Sequence, residues 1–147
     1  INKGEHNFIH QELKRNNITN DRVEIFESIY SEMPTHLKNI TFGAFFPKKG
    51  FYLNGYFPTK LGEFLACGRP LICGQVNEDV ERIIKVNKVG VVVNLDDDVS
   101  LDRIIEEFLE ICTSANISER CRKVAEKYFS ARQGASDYGS LYKEILM

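Results

Sequence analysis

Lys60 and Glu63 stand three residues apart on a segment that reads as a short helix, FPTKLGEFLACGRPLICG, residues 57–74. An i,i+3 pair puts the two side chains on one face with Cβ atoms roughly 5–6 Å apart. At the first turn of a helix, free backbone N–H groups and the helix dipole favour an anion, and Lys60 adds a full positive charge there. Glu63, one turn further in, is placed to accept hydrogen bonds from sugar hydroxyls. Phosphate beside ribose describes a nucleotide-type site. The competing reading of the same pair is a solvated surface ion pair of little consequence. Two features weigh against it. Gly62 stands inside the helix, where glycine costs about 1 kcal/mol relative to alanine, so something is expected to approach its backbone closely. The preceding loop, residues 47–57, is also long for a strand-to-helix connection, and long loops tend to carry function.

The elements that must position this pair follow from local signals. Pro58 suits a first helical turn, and Thr59 is the expected N-cap. Gly68 supplies a left-handed stop, with Pro70 ending any continuation. Upstream, the pattern predicts a helix over 8–16 with Phe8, Ile9 and Leu13 as its apolar stripe, and an alternating strand over 22–26. A short helix capped by Ser31 is predicted through Asn39, then an apolar strand over 40–46 that Pro47 ends. Downstream come a strand over 71–73, a helix from Asn77 or Asp79 to about Lys88, and a strand over 89–95. Ser100 is expected to cap a helix to Cys112 that buries Leu101, Ile104, Ile105, Phe108 and Leu109. Two further helices are predicted over about 118–129 and 133–147. Short, continuously apolar strands separated by helices imply an α/β fold, a parallel sheet flanked by helices. In such sheets ligands bind outside the carboxyl ends of the strands, here the loops 27–30, 47–57 and 74–78.

Composition bounds the reading. A chain of 147 residues, 43% hydrophobic and 27% charged, suffices for one substantial core, so a single soluble domain over 1–147 is expected. A net charge of −2 offers no general attraction to nucleic acid, so no nucleic-acid partner is expected despite the basic and aromatic residues Lys48, Lys49, Phe51, Tyr52 and Tyr56. No apolar run reaches the roughly 20 residues of a membrane span. Cys67, Cys73, Cys112 and Cys121 contain no C-x-x-C pair and read as buried thiols of a reducing compartment. His6 and His10 at i,i+4, with Glu5 nearby, lack a third ligand, and the run Asp96, Asp97, Asp98 reads as a solvated turn, so no metal site is expected. The chain begins at Ile1 without a Met and is expected to be a fragment.

The sequence YFPTKLGEFLACGRP followed by LICG resembles the donor-site signature of retaining GT-B glycosyltransferases of the family-4 type, S-P-T-K-x-x-E-Y-x-A-x-G-x-P-V. EIFESIYSEMPTHLKNITFGAFFP resembles the strand, loop, short helix and strand ahead of that motif, and residues 2–4 the loop after an earlier strand. Residues 89–97 resemble the G-x-x-V-x-x-x-D segment, and YFSARQGASDYGSLYKEILM the closing helix. The resemblance implies a Rossmann-like donor-binding domain, the C-terminal half of a GT-B fold, taking a nucleotide-diphosphate sugar as substrate with no separate cofactor. It implies that Pro58, Thr59 and Lys60 hold the diphosphate, that Glu63 binds the ribose hydroxyls, and that Ser28, Ile29 and Tyr30 lie against the nucleobase. Lys60 and Glu63 are the implied catalytic groups. The anomeric configuration is retained, with charge on the leaving diphosphate stabilised electrostatically rather than by a metal ion.

Two departures stand out. The family often shows E-x7-E, and the residue eight before Glu63 is Gly55, which leaves the sugar contact to Asn54, Tyr52 or Lys49. The family's diphosphate-clamping Arg and Lys have no matching segment and are expected before Ile1, with the N-terminal acceptor domain that would bind a glycan or lipid-linked acceptor. The implied setting is polysaccharide or glycoconjugate biosynthesis, cytoplasmic at the inner face of a membrane, with peripheral membrane association. Two alternatives remain open: a non-catalytic nucleotide-binding or interaction module of the same fold, and a sugar-nucleotide epimerase.

Overall fold

The computed structural model describes residues 6–25, 27–48, 50–94 and 100–146. The chain divides into two compact units, Ile1–Met33 and Pro34–Met147.

In the first unit, helix α1 spans His6–Arg15. It ends in a Schellman motif: Asn17 adopts φ 56°, its N–H bonds to the Lys14 carbonyl at 3.2 Å, and that of Ile18 bonds to Leu13 at 2.9 Å. The strand predicted over 22–26 does not form among the described residues. Asn20–Arg22 is instead a 3-10 turn, 23–25 is irregular, and Phe26 lies outside the described residues. Alternation in Val23 and Ile25 supplies a side-chain pattern but no hydrogen-bonded neighbour, and a strand needs both. Ser31 does not cap a helix either. It sits within a second 3-10 turn, Tyr30–Glu32, that runs into helix α2, Met33–Lys38.

The second unit carries three short parallel strands in the order β1-β2-β3: β1 Gly43–Phe45, β2 Leu71–Gly74 and β3 Gly90–Val93. Gly43 pairs with Leu71, and Leu71 with Gly90. The helices α3 Thr59–Ala66, α4 Glu78–Val86 and α5 Leu101–Thr113 each contact this sheet. Helices α6 Ile117–Tyr128 and α7 Ala131–Leu146 complete the unit. The fold is thus mixed α/β, a small parallel sheet flanked by helices, as the spacing of apolar segments predicts. Its core joins Leu61 and Leu65 of α3, Leu71 and Cys73 of β2, Val80 and Ile84 of α4, and Cys121 and Val124 of α6. Continuously apolar strands and one-sided helices meet in that core, each covering what the other would expose.

Glycines mark where backbones or rings meet too closely for a side chain. A Cβ on Gly43 would lie 2.7 Å from the Phe64 ring, and β1 begins at this glycine rather than at Ile40. Gly68, at φ 74°, closes α3 by donating to Leu65 while Arg69 donates to Phe64, each at 2.9 Å, the Schellman pattern its position predicts. Arg69 then reaches the carboxyl end of α2, its Nε donating to the Leu37 carbonyl at 3.2 Å and its terminal nitrogen to that of Lys38. A guanidinium on those orphaned carbonyls also suits the negative end of the α2 dipole. The apolar face predicted on α5 is only partly used. Phe108 is buried and Ile104 half-buried, but Leu101, Ile105 and Leu109 are exposed. Leu95 and residues 96–99, which precede this helix, lie outside the described residues, as do 1–5, Lys49 and Met147.

Candidate functional site

The carboxyl ends of β1 and β2 lead into two loops that are tied to each other. Asn77 caps α4, its Oδ1 accepting from the Val80 N–H at 3.0 Å, and its Nδ2 donates to the Tyr56 carbonyl at 2.7 Å. One side chain thereby fixes the chain just ahead of α3 against the start of α4. The cap is legible in the sequence; the link to Tyr56 spans 21 residues and leaves no sequence signal.

Helix α3 opens two residues after that tie. Pro58, not Thr59, is the N-cap residue, with φ −73° and ψ 109°, and no side chain caps the helix. Thr59 is the first helical residue. A proline ring fixes φ near the value it needs here but supplies no acceptor, so the threonine is carried one position past where its hydroxyl would cap. Leu61 donates to the Pro58 carbonyl at 3.1 Å. Among the described residues the backbone N–H groups of Thr59 and Lys60 have no acceptor, and both residues are exposed. Glu63 is half-buried one turn further along. Neither Lys60 nor Glu63 makes a side-chain hydrogen bond or ion pair among the described residues, in contrast to Lys85 with Glu81 at 2.9 Å and Lys123 with Glu119 at 2.7 Å on other helices. The surface ion pair that competes with the ligand reading is therefore not made.

Gly62 has a different explanation from the one its sequence context suggests. A Cβ at this position would lie 2.8 Å from Cδ1 of Phe129 and 3.0 Å from its Cβ. The close approach is that of α6 packing on α3, with the Phe129 ring in turn 5.0 Å from that of Phe57. A ligand is not needed to account for the glycine.

The described residues of the loop, 47–48 and 50–57, make contacts within it and with β1. Residues Phe51–Gly55 form a 3-10 turn, with Leu53 buried beneath it. Tyr56 stacks on Phe45 at 6.1 Å, and Tyr52 meets Tyr56 edge-on at 6.0 Å while its hydroxyl donates to the Lys48 carbonyl at 2.5 Å. A Cβ on Gly55 would meet nothing within 4 Å, so the position that carries an acidic residue in E-x7-E opens onto free space. Of the sugar-contact candidates, Asn54 and Tyr52 are exposed and Lys49 lies outside the described residues.

Structure thus brings Pro58, Thr59, Lys60 and Glu63 together on α3 at the carboxyl edge of the sheet. Ser28, Ile29 and Tyr30 belong to the other unit, where Ile29 and Tyr30 are exposed and the Ser28 hydroxyl donates to the Ile29 carbonyl at 3.1 Å. Clefts of about 270–340 Å³ among the described residues are lined by other residues, one of about 340 Å³ by Glu81, Lys85, Asn94, Arg103 and Glu107 between α4 and α5. Among the described residues no group of His, Cys, Asp and Glu could hold a metal ion; His6 Nε2 is shielded without a partner, and Asp96, Asp97 and Asp98 lie outside them. All four thiols are free. Burial pushes Cys73 up to about 12, with Glu81 adding to the effect, and pushes Cys121 up to about 11. Both are inert in the folded chain, since the thiolate is the reactive form. Among the described residues no helix is long and apolar enough to cross a membrane. Compared with known proteins, the chain matches no protein-family model, no curated protein and no solved structure.

Proposed function

We propose that this chain is the nucleotide-diphosphate-sugar-binding domain of a retaining glycosyltransferase, a Rossmann-like unit corresponding to the C-terminal half of a GT-B hexosyltransferase. The observation that carries the reading is the amino end of α3: two backbone N–H groups, on Thr59 and Lys60, beside a lysine and, one turn on, a glutamate, all without a partner among the described residues, at the carboxyl edge of a parallel sheet. Such an end offers an anion two donors and the positive end of the helix dipole. Phosphate oxygens would accept from Thr59 N–H, Lys60 N–H and the Lys60 ammonium. Glu63 would accept from the ribose hydroxyls. Because these donors are already in place, negative charge developing on the departing diphosphate is met without reorganisation, which is where most of the rate enhancement of such transfers arises. The acceptor, a glycan or lipid-linked sugar in polysaccharide or glycoconjugate assembly at the cytoplasmic face of a membrane, would be held by a second domain.

Gly55 favours a second reading, a nucleotide-binding module of the same fold without transferase activity, because the first acidic residue of E-x7-E is absent. A panel of UDP, GDP, ADP and CDP, followed by ligand-observed NMR, tests the nucleotide site that both readings share, and sugar transfer from the matching nucleotide sugar separates them. Selective binding of one diphosphate, weakened about tenfold by Lys60→Ala through loss of one charge-assisted contact, supports the donor site. Binding that Lys60→Ala and Glu63→Ala leave unchanged removes it.

A further inference from the structure

Two helices of the second unit carry apolar faces that the described chain leaves uncovered. On α5, Leu101, Ile105 and Leu109 form one row at i, i+4 and i+8, each 48–57% exposed. Phe42, which meets Phe108 edge-on at 5.0 Å, is exposed beside the same helix. One position on from each member of that row stands a carboxylate: Asp102, Glu106 and Glu110. All three are exposed and make no ion pair among the described residues. On α7 the face is Tyr138, Leu141, Tyr142 and Ile145, each 49–69% exposed, and the helix buries no residue. A Cβ on Gly134 or Gly139 would meet nothing within 4 Å, so no other element lies against those positions either. A helix of 16 residues that contains two glycines and buries nothing is marginal in water, where most helical stability comes from packing an apolar face. It needs a cover.

We propose that the cover is a second copy of this chain, α7 of each copy lying on α5 of the other in a two-fold dimer. The faces match in length, about 12 Å from Leu101 to Leu109 and about 11 Å from Tyr138 to Ile145 at 1.5 Å per residue. Charge selects the pairing and its direction. On α7, Asp137 and Glu144 lie to one side of the apolar face, and Arg132 and Lys143 lie round toward the other. Laid antiparallel on α5 of the partner, α7 brings Arg132 and Lys143 to the side of Asp102 and Glu110 and turns its own carboxylates away; laid parallel, it would set acid against acid. Long basic side chains reach across such a flank with their stems on apolar surface. Pairing α7 with α7 would leave the α5 row and its carboxylates uncovered. At about 100 Å² for each of the eight half-exposed side chains, one contact removes on the order of 800 Å² and the two symmetric contacts about 1,600 Å², the size of a stable interface. Reciprocal contacts of this kind close at two copies. The proposal does not rest on the nucleotide reading of α3.

Sedimentation velocity of the chain between about 1 and 100 μM should show a monomer–dimer equilibrium, micromolar or tighter. Ile105→Glu and Leu141→Glu should each raise the dimer Kd at least about tenfold by forcing a carboxylate into the contact. Both positions are exposed in the monomer, and thermal unfolding checks that the core is kept. An equimolar mixture of the two variants decides the pairing. The Ile105→Glu chain keeps its α7 face and the Leu141→Glu chain its α5 face, so the mixture should form a heterodimer tighter than either variant with itself. Asp102→Lys should weaken the dimer about fivefold, and Lys143→Glu added to the same chain should recover it. A monomer throughout the range, assembly that either single variant leaves intact, a mixture no tighter than its parts, or a Lys143→Glu change that deepens the loss would each overturn the proposal.

Discussion

Replacing Gly62 by alanine separates a glycine kept for packing from one kept for a ligand. In an unobstructed helix interior the change would stabilise by about 1 kcal/mol, the difference in intrinsic propensity. Here the new methyl group would stand 2.8 Å from Cδ1 and 3.0 Å from Cβ of Phe129. Rotating the ring cannot relieve the second contact, because Cβ is bonded directly to the backbone, so α6 must move off α3. Overpacking of this kind costs about 1–3 kcal/mol, and displacing Phe129 from Phe57 removes a ring contact of roughly 0.5–1.5 kcal/mol. The balance is a net loss of about 1–2 kcal/mol, or about 3–8 °C in Tm for a chain of this size. Thermal unfolding followed by circular dichroism measures it. The decisive control is Phe129→Gly, which removes the ring and its Cβ alike and by itself costs about 3–4 kcal/mol for a half-buried ring and a freer backbone. In that background Gly62→Ala should turn stabilising by about 1 kcal/mol, a reversal of sign that reports the contact itself. A rise in Tm from Gly62→Ala alone, or strictly additive effects, would refute the packing explanation.

Three further outcomes follow from the same geometry. Asn77→Ala should cost about 2 kcal/mol in urea unfolding, by losing the α4 cap and the bond to Tyr56, and Asn77→Asp, which keeps an acceptor but no donor, about half of that. Gly55→Glu should change Tm by no more than about 0.5 kcal/mol equivalent, since the side chain enters open space, and under the donor-site reading it should strengthen binding of the intact nucleotide sugar over the bare diphosphate. Stability should fall at alkaline pH. Cys73 and Cys121 are held protonated in the fold, up to about 12 and about 11 against an ordinary 9.0, so their contribution is complete below pH 9 and is lost as pH rises from there toward 11–12. Urea unfolding at pH 8 and pH 10 should differ by at most about 1.4 kcal/mol per thiol, and Cys73→Ala should remove its share.

Much of the second unit is legible because its signals are local. Apolar runs give the three strands, Gly68 gives the left-handed stop of α3, and Asn77 or Asp79 gives the start of α4, which the structure caps with Asn77; each depends on residues within one or two turns. The features that sequence misplaces depend on partners far along the chain. Residues 22–25 alternate as a strand would, but pairing is a property of a neighbour that the alternation does not name. Gly62 signals a close approach truthfully without saying from where, and the answer, Phe129, lies just past the carboxyl end of α6. The apolar stripe of α5 reads as buried because periodicity reports a face and not its cover; only Phe108 and in part Ile104 find one. At the candidate site the side-chain types are readable, whereas the uncapped state of α3 follows from a one-residue shift of Thr59 that propensity does not resolve.

The central claim is that the amino end of α3 receives a nucleoside diphosphate, and amide chemical shifts in an isotope-labelled sample read that end directly. The account predicts that the preferred diphosphate moves the Thr59 and Lys60 amide protons downfield, as expected for N–H groups gaining a charged acceptor, with smaller changes at Glu63, and that the matching nucleoside without phosphates leaves Thr59 and Lys60 where they are. Shifts confined to other surfaces, or equal shifts with and without the diphosphate, would contradict it.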